Sequence, residues 1–155
     1  IMFCDIREFS GISQKLDPVE LTRFFNRFLT PMTDTLMRHG GTVDKYMGDC
    51  IMALWNAPLA QEGHPEMAVR AALGMRKALA EFNAELKHSP GPFAAVPLPV
   101  RMGVGINTGE CCVGNIGSAV RFEYSALGNA VDIASRLEGL CRVYGVDILL
   151  GPGVV

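Results

Sequence analysis

The sequence predicts an α+β fold: an antiparallel-rich sheet of ferredoxin-like topology with helices packed on one face. Two observations carry this expectation. Two long segments repeat apolar residues at three- and four-residue steps, the spacing of an amphipathic helix. Around them lie short apolar runs that reverse at glycine-containing turns, the mark of strands and hairpins. Long helices mixed with hairpins make a layered sheet-and-helix domain.

Taken in order, residues 1–5 form an apolar strand that ends on Asp5, and a loop holding Arg7, Glu8, Ser10 and Gly11 follows. Asp17, Pro18 and Glu20 then spell a helix start: a capping side chain, a proline at the first helical position and an acid three after the cap. Leu21, Phe24, Phe25, Phe28, Leu29, Met32 and Leu36 share one face of that helix, which Gly40 and Gly41 end. Residues 42–47 and 50–55 make a hairpin around Gly48-Asp49. A second helix runs from about Pro65 to Leu86 with Met67, Ala68, Ala71, Ala72, Met75, Leu79 and Phe82 as its buried stripe. Four prolines between Ser89 and Pro99 make that stretch a loop. Residues 100–106 and 110–116 read as paired strands around Asn107-Thr108-Gly109. A strand near 121–127, a helix over 129–143 and a last strand, Val146–Leu150, complete the order.

The 155 residues suit one domain, 1–155, since domains most often run to roughly 100–150 residues. The hydrophobic share is 49% and the charged share 19%, which excludes intrinsic disorder. A net charge of −2 argues against a nucleic-acid partner held by phosphate neutralisation. No apolar run reaches the ~18–20 residues of a membrane span, so no membrane contact by this domain is expected. Cys4, Cys50, Cys111, Cys112 and Cys141 are odd in number and hold no CxxC pair, which reads as reduced, mostly core thiols of a cytoplasmic protein. The chain opens without Met in an apolar run and stops just after a strand, so it is expected to be a fragment cut at both ends from a larger multidomain protein.

Several chemistries are excluded. No GxxxxGK[ST] loop, GxSxG elbow or HExxH helix occurs, and Gly103, Gly105 and Gly109 have the wrong spacing for a dinucleotide fingerprint. What stands out is a pair of acids. Asp5 closes a wholly apolar strand, where a carboxylate is costly unless a cation meets it, and Asp49 sits in the hairpin turn. Two carboxylates and a backbone carbonyl make a hard oxygen site of the kind Mg²⁺ accepts beside phosphates. Spacing alone equally allows Asp5 to cap its loop and Asp49 to be an ordinary turn residue.

Three stretches settle into one pattern: Phe3-Cys4-Asp5-Ile6-Arg7-Glu8-Phe9-Ser10, Lys45-Tyr46-Met47-Gly48-Asp49-Cys50-Ile51-Met52-Ala53, and Tyr124-Ser125-Ala126-Leu127-Gly128-Asn129-Ala130-Val131-Asp132-Ile133-Ala134-Ser135-Arg136-Leu137. In order, spacing and intervening helices they resemble the catalytic domains of class III nucleotide cyclases, over essentially the whole chain. The resemblance implies that Asp5 and Asp49 bind two divalent cations, Mg²⁺ or Mn²⁺, with the Ile6 carbonyl as a further ligand. It places the loop from Ile6 through Phe9 to Ser10 against a triphosphate, and makes Arg136 the transition-state arginine. Lys45 and Ser125 fall at the base-reading positions. Lysine there is typical of adenylate cyclases, since an ammonium donates to adenine N1 and a serine hydroxyl accepts from the amino group.

The resemblance therefore implies conversion of ATP to 3′,5′-cyclic AMP and pyrophosphate, by in-line attack of the ribose 3′-oxygen on the α-phosphorus. It also implies a homodimer with the active sites at the interface, because the metal aspartates and the base-reading and arginine positions come from opposite subunits in the family. A flanking sensor or regulatory domain is expected. Two departures matter. Asp132 replaces the asparagine that usually orients the ribose, and as the residue four before Arg136 it is a candidate partner for that arginine. The family's further phosphate-binding lysine lies after the last strand, and no lysine follows Lys87. The rival readings are a catalytically weak cyclase-homology domain that binds nucleotide or dimerises, which Asp132 favours, and a guanylate cyclase.

Overall fold

The structure is a computed structural model that describes all 155 residues. Its frame is a five-stranded sheet in the order β2-β3-β1-β4-β7. The strands are β1 (Met2–Ile6), β2 (Thr42–Met47), β3 (Cys50–Leu54), β4 (Met102–Ile106) and β7 (Ile148–Leu150). All neighbours are antiparallel except β4 and β7, which run parallel. A separate two-stranded ribbon, β5 (Cys112–Gly117) with β6 (Phe122–Leu127), stands apart from that sheet. The helices are α1 (Phe9–Ser13), α2 (Pro18–Arg38), α3 (His64–His88) and α4 (Asn129–Tyr144).

Strand alternation sorts the two faces of the sheet. Met2, Cys4 and Ile6 of β1, Ile51 and Ala53 of β3, and Met102, Val104 and Ile106 of β4 point into the larger core. There they meet Phe24, Phe28, Met32 and Leu36 of α2 and Ala68, Ala71, Ala72, Met75 and Leu79 of α3. The predicted start of α2 is present as a full capping box: Glu20 N–H donates to Asp17 Oδ1 at 2.8 Å, and Asp17 N–H donates back to Glu20 Oε2 at 3.3 Å. Edge-to-face contacts of Phe24 with Phe82 and Phe93, and of Phe28 with Phe82, knit the two helices to the proline-rich loop.

The α+β class and the antiparallel-rich sheet are as predicted, but the helices do not all lie on one face. Phe3, Met52 and Leu54 point the other way, into a smaller core with Ala126 of β6 and Val131 and Ala134 of α4. Gly105 is what lets α4 come this close. A Cβ added there would stand 2.3 Å from the Ala134 carbonyl oxygen and 2.3 Å from the Glu138 nitrogen. Periodicity reports that a helix has an apolar face, not which side of a sheet that face covers.

The predicted pairing of residues 100–106 with 110–116 is also corrected. Both edges of β4 are taken, by β1 and β7, and β5 pairs instead with β6, from Cys112 opposite Leu127 to Gly117 opposite Phe122. Asn107 is no turn residue. Buried, it donates from Nδ2 to the Ala130 carbonyl and from its backbone N–H to the Ile1 carbonyl, pinning the end of β4 to β1 and α4. Cys112, expected in the core, is exposed on the ribbon. Residues 9–13, read as loop, form the short α1, entered through Glu8 at φ 54°. No helix is long and apolar enough to cross a membrane.

Candidate active site

Strand register brings the two acids together. Phe3 faces Met52 and Cys4 faces Ile51, so the next step along β1 sets Asp5 beside the Gly48-Asp49 turn. That turn is two residues long, closed by the Met47–Cys50 pair, and Gly48 takes the left-handed conformation it needs at φ 61°. Alternation aims Asp5 away from the larger core, to the α4 side. Asp5 and Asp49 meet side chain to side chain, and burial followed by this contact pushes the Asp5 carboxyl up to about 8. The Ile6 backbone N–H beside the same carboxylate pulls weakly the other way.

A third acid stands behind this pair. Burial raises the pKa of Glu138 on α4, with a further push from Asp49, opposed by Arg7 and Arg142. Its charge also bears on Asp5. The sequence reading missed Glu138, although a signal exists: it continues the Ala130–Ala134 step at four-residue spacing, a carboxylate on the buried stripe of a helix. Arg7, only 13% exposed at its side chain, reaches Asp147 at 3.7 Å, beyond hydrogen-bond range, so its Nε and Nη2 lack partners.

The donor set fits a hard divalent cation. Asp5 Oδ1 is buried with no hydrogen-bond partner, and the two facing carboxylates repel one another in the absence of positive charge between them. No group of three or more His, Cys, Asp or Glu side chains is placed to close a complete cage. An ion here would draw further ligands from backbone, water and phosphate oxygens, the habit of Mg²⁺.

Lys45 and Ser125 are brought together as well, from β2 and β6. Lys45 Nζ lies 3.4 Å from Glu123 Oε2, and Ser125 Oγ donates to Asp44 Oδ2 at 2.6 Å. Asp44 sits where the β2–β3 register slips between Val43 and Lys45, which turns its side chain toward the ribbon. Neither Asp44 nor Glu123 was singled out in the sequence, because their importance arises only when the ribbon meets β2.

The remaining predicted residues fall as follows. The Phe9 ring packs on Phe25 at 5.0 Å, and Ser10 is exposed at the start of α1. Asp132 and Arg136 are both exposed, one turn apart on α4, and they form no ion pair with each other. Large apolar side chains are exposed nearby on α4 and the ribbon, among them Phe122 at 60%, Leu127 at 58% and Tyr144 at 68%.

The family described as the adenylate and guanylate cyclase catalytic domain matches residues 1–148, and the chain belongs to it. Over its whole length the chain is 38% identical to an adenylate cyclase of Anabaena cylindrica, covering 30% of that protein. It is 36% identical to adenylate cyclase 1 of Rhizobium meliloti (strain 1021) over 99% of its length, covering 22% of that relative. The chain thus spans under a third of either. Among solved structures, the adenylyl cyclase CyaB from P. aeruginosa superposes with a TM-score of 0.86 at 32% identity, over 99% of this chain and 76% of that one. The guanylyl cyclase Cya2 does so with 0.85 at 34%, over 99% and 74%.

Proposed function

We propose that this domain is an adenylate cyclase, converting ATP to 3′,5′-cyclic AMP and pyrophosphate as a homodimer. One observation carries the reading. Two carboxylates converge at the end of β1 with a buried oxygen left unpartnered, in a chain whose curated relatives at 36–38% identity are named adenylate cyclases. Asp5 and Asp49 would hold Mg²⁺ or Mn²⁺, which when bound lowers the barrier by acidifying the 3′-hydroxyl and neutralising the leaving pyrophosphate. The residues of the chain bind and orient. Backbone groups from Ile6 to Ser10 face the triphosphate, Lys45 donates to adenine N1, and Ser125 accepts from the amino group. Arg136 stabilises charge that develops only in the transition state.

The dimer follows from the same assignment. Each protomer carries one carboxylate half and one base-and-arginine half, and C₂ pairing completes two sites. Exposed Phe122, Tyr124 and Leu127 of the ribbon and Val143 and Tyr144 of α4 give that pairing apolar surface to bury. A flanking regulatory domain accords with relatives more than three times as long as the chain.

Cyclic nucleotide formation from Mn-ATP and Mn-GTP tests the proposal. Wild type should form cyclic AMP and Asp5→Ala should fall to background. Equal background from both would leave the weak cyclase-homology domain, which Asp132 in place of asparagine favours. Preference for GTP would instead assign a guanylate cyclase.

A further inference from the structure

A serine is an ambiguous reader of purines. Its hydroxyl both donates and accepts, so alone it serves the adenine amino group, a donor, and guanine O6, an acceptor, equally well. The structure removes the ambiguity. Ser125 is 7% exposed, and its Oγ donates to Asp44 Oδ2 at 2.6 Å, the length of a charge-assisted bond. A carboxylate only accepts, so the hydroxyl proton is committed to Asp44 and only lone pairs remain for a base. Asp44 Oδ1 is buried without a hydrogen-bond partner, so Ser125 is the hydroxyl this carboxylate holds, and the register slip in β2 sets its direction. Its neighbour Lys45 meanwhile rests against Glu123 at 3.4 Å, beside Arg121, which lies 3.6 Å from the same carboxylate.

We propose that Asp44 is a specificity-determining positioning residue: by holding the Ser125 proton it makes that hydroxyl an acceptor alone, and so selects adenine over guanine. This rests on the nucleotide-cyclase reading above and deepens it. Lys45 then reads N1 and the Asp44–Ser125 pair reads the amino edge. Guanine meets a cation opposite its N1–H and a lone pair opposite O6, two mismatches at once.

The test replaces Asp44→Asn in the full chain and measures kcat/KM for ATP and for GTP. The amide nitrogen can donate to Ser125 Oγ, freeing the serine proton to turn toward O6. The ATP:GTP ratio should fall by about tenfold or more, chiefly through a gain on GTP. In a Ser125→Ala background the same substitution should leave the ratio unchanged, since the group through which Asp44 acts is gone. A purely structural role would lower both nucleotides together at constant ratio, and that result overturns the proposal, as does a wild type preferring GTP. Should Asp44→Asn fail to fold by circular dichroism, Ser125→Ala alone decides, because an unchanged ratio would show that the oriented hydroxyl reads nothing. If wild type turns over neither nucleotide, the cyclase reading fails separately. The same ratios are then read as calorimetric affinities for ATP and GTP, with the same outcomes.

Discussion

The two clusters proposed as half-sites are built on opposite principles. At the end of β1 gather three acids, Asp5, Asp49 and Glu138, that no basic side chain meets within hydrogen-bond range, and a buried Asp5 oxygen has no partner. Between β2 and the ribbon, complementary groups meet instead: Lys45 lies against Glu123 and Ser125 donates to Asp44, whose other oxygen, Oδ1, is buried without a partner. On the proposed function, the first arrangement is completed by a cation from outside. On the same reading the second is preorganised, with the Ser125 proton already placed on Asp44. A cation site tolerates strain in the empty protein because binding relieves it, whereas a reading site must hold one pattern to reject another.

The sharpest way to break this contrast is at the carboxylates. Asp5→Ala or Asp49→Ala should reduce cyclic AMP formation by about 10³-fold or more, since transition-state charge loses its main counterweight. The fold should survive, because neither acid forms an ion pair in the folded chain. Activity within tenfold of wild type in both variants would end the cation-site assignment.

Next in size is complementation. Asp5→Ala and Arg136→Ala should each be inactive alone, yet equimolar unfolded-and-refolded mixtures should recover about a quarter of wild-type activity. Half of the dimers are then mixed, and each mixed dimer has one intact site of its two. No recovery, with dimers verified by sedimentation, would place both residues in a single-chain site instead.

A smaller effect is expected at the base. Lys45→Glu with Ser125→Cys should move preference toward GTP by one to two orders of magnitude, roughly the discrimination that a reversed hydrogen-bond pattern supplies. Lys45→Glu alone sets two carboxylates together at the Glu123 position and should depress both nucleotides. An unmoved ATP:GTP ratio in the double variant would remove the base-reading role from this half.

Legibility in the sequence followed the range of the interaction. The α2 start was readable because the Asp17–Glu20 capping box closes over three residues, and the β2–β3 hairpin because Gly48 permits its turn. Asp5 and Asp49 were readable as oddities, acids where apolar or turn chemistry dominates. Partner choice was not readable. Residues 100–106 carry nothing that tells them to pair with β1 and β7, rather than with the strand that follows, because that preference lies in sheet closure around Asn107. Side-chain contacts between distant strands were equally hidden. Glu138 behind the acids and Asp44 beside Ser125 become neighbours only through the placement of α4 and the ribbon.

The smallest effect is a difference in stability with pH, and it separates the cluster of acids from the paired one. In the folded chain the Asp5 carboxyl is pushed up to about 8 from its ordinary 3.8, by burial and by Asp49. Between those two values the folded state keeps a proton that the unfolded chain releases, so stability falls as pH rises through that window. A divalent cation takes the place of the proton, and its stabilising effect should therefore grow with pH. Thermal melts with and without Mn²⁺ should show a larger shift in Tm at pH 7.5 than at pH 5.5, by several degrees at the ~2–4 °C per kcal/mol typical of this size. Asp5→Asn should flatten the pH dependence and abolish the Mn²⁺ shift, while Asp44→Asn should change neither. A Mn²⁺ shift that is the same at both pH values, or that survives in Asp5→Asn, would mean the strain at the end of β1 is not what the cation relieves.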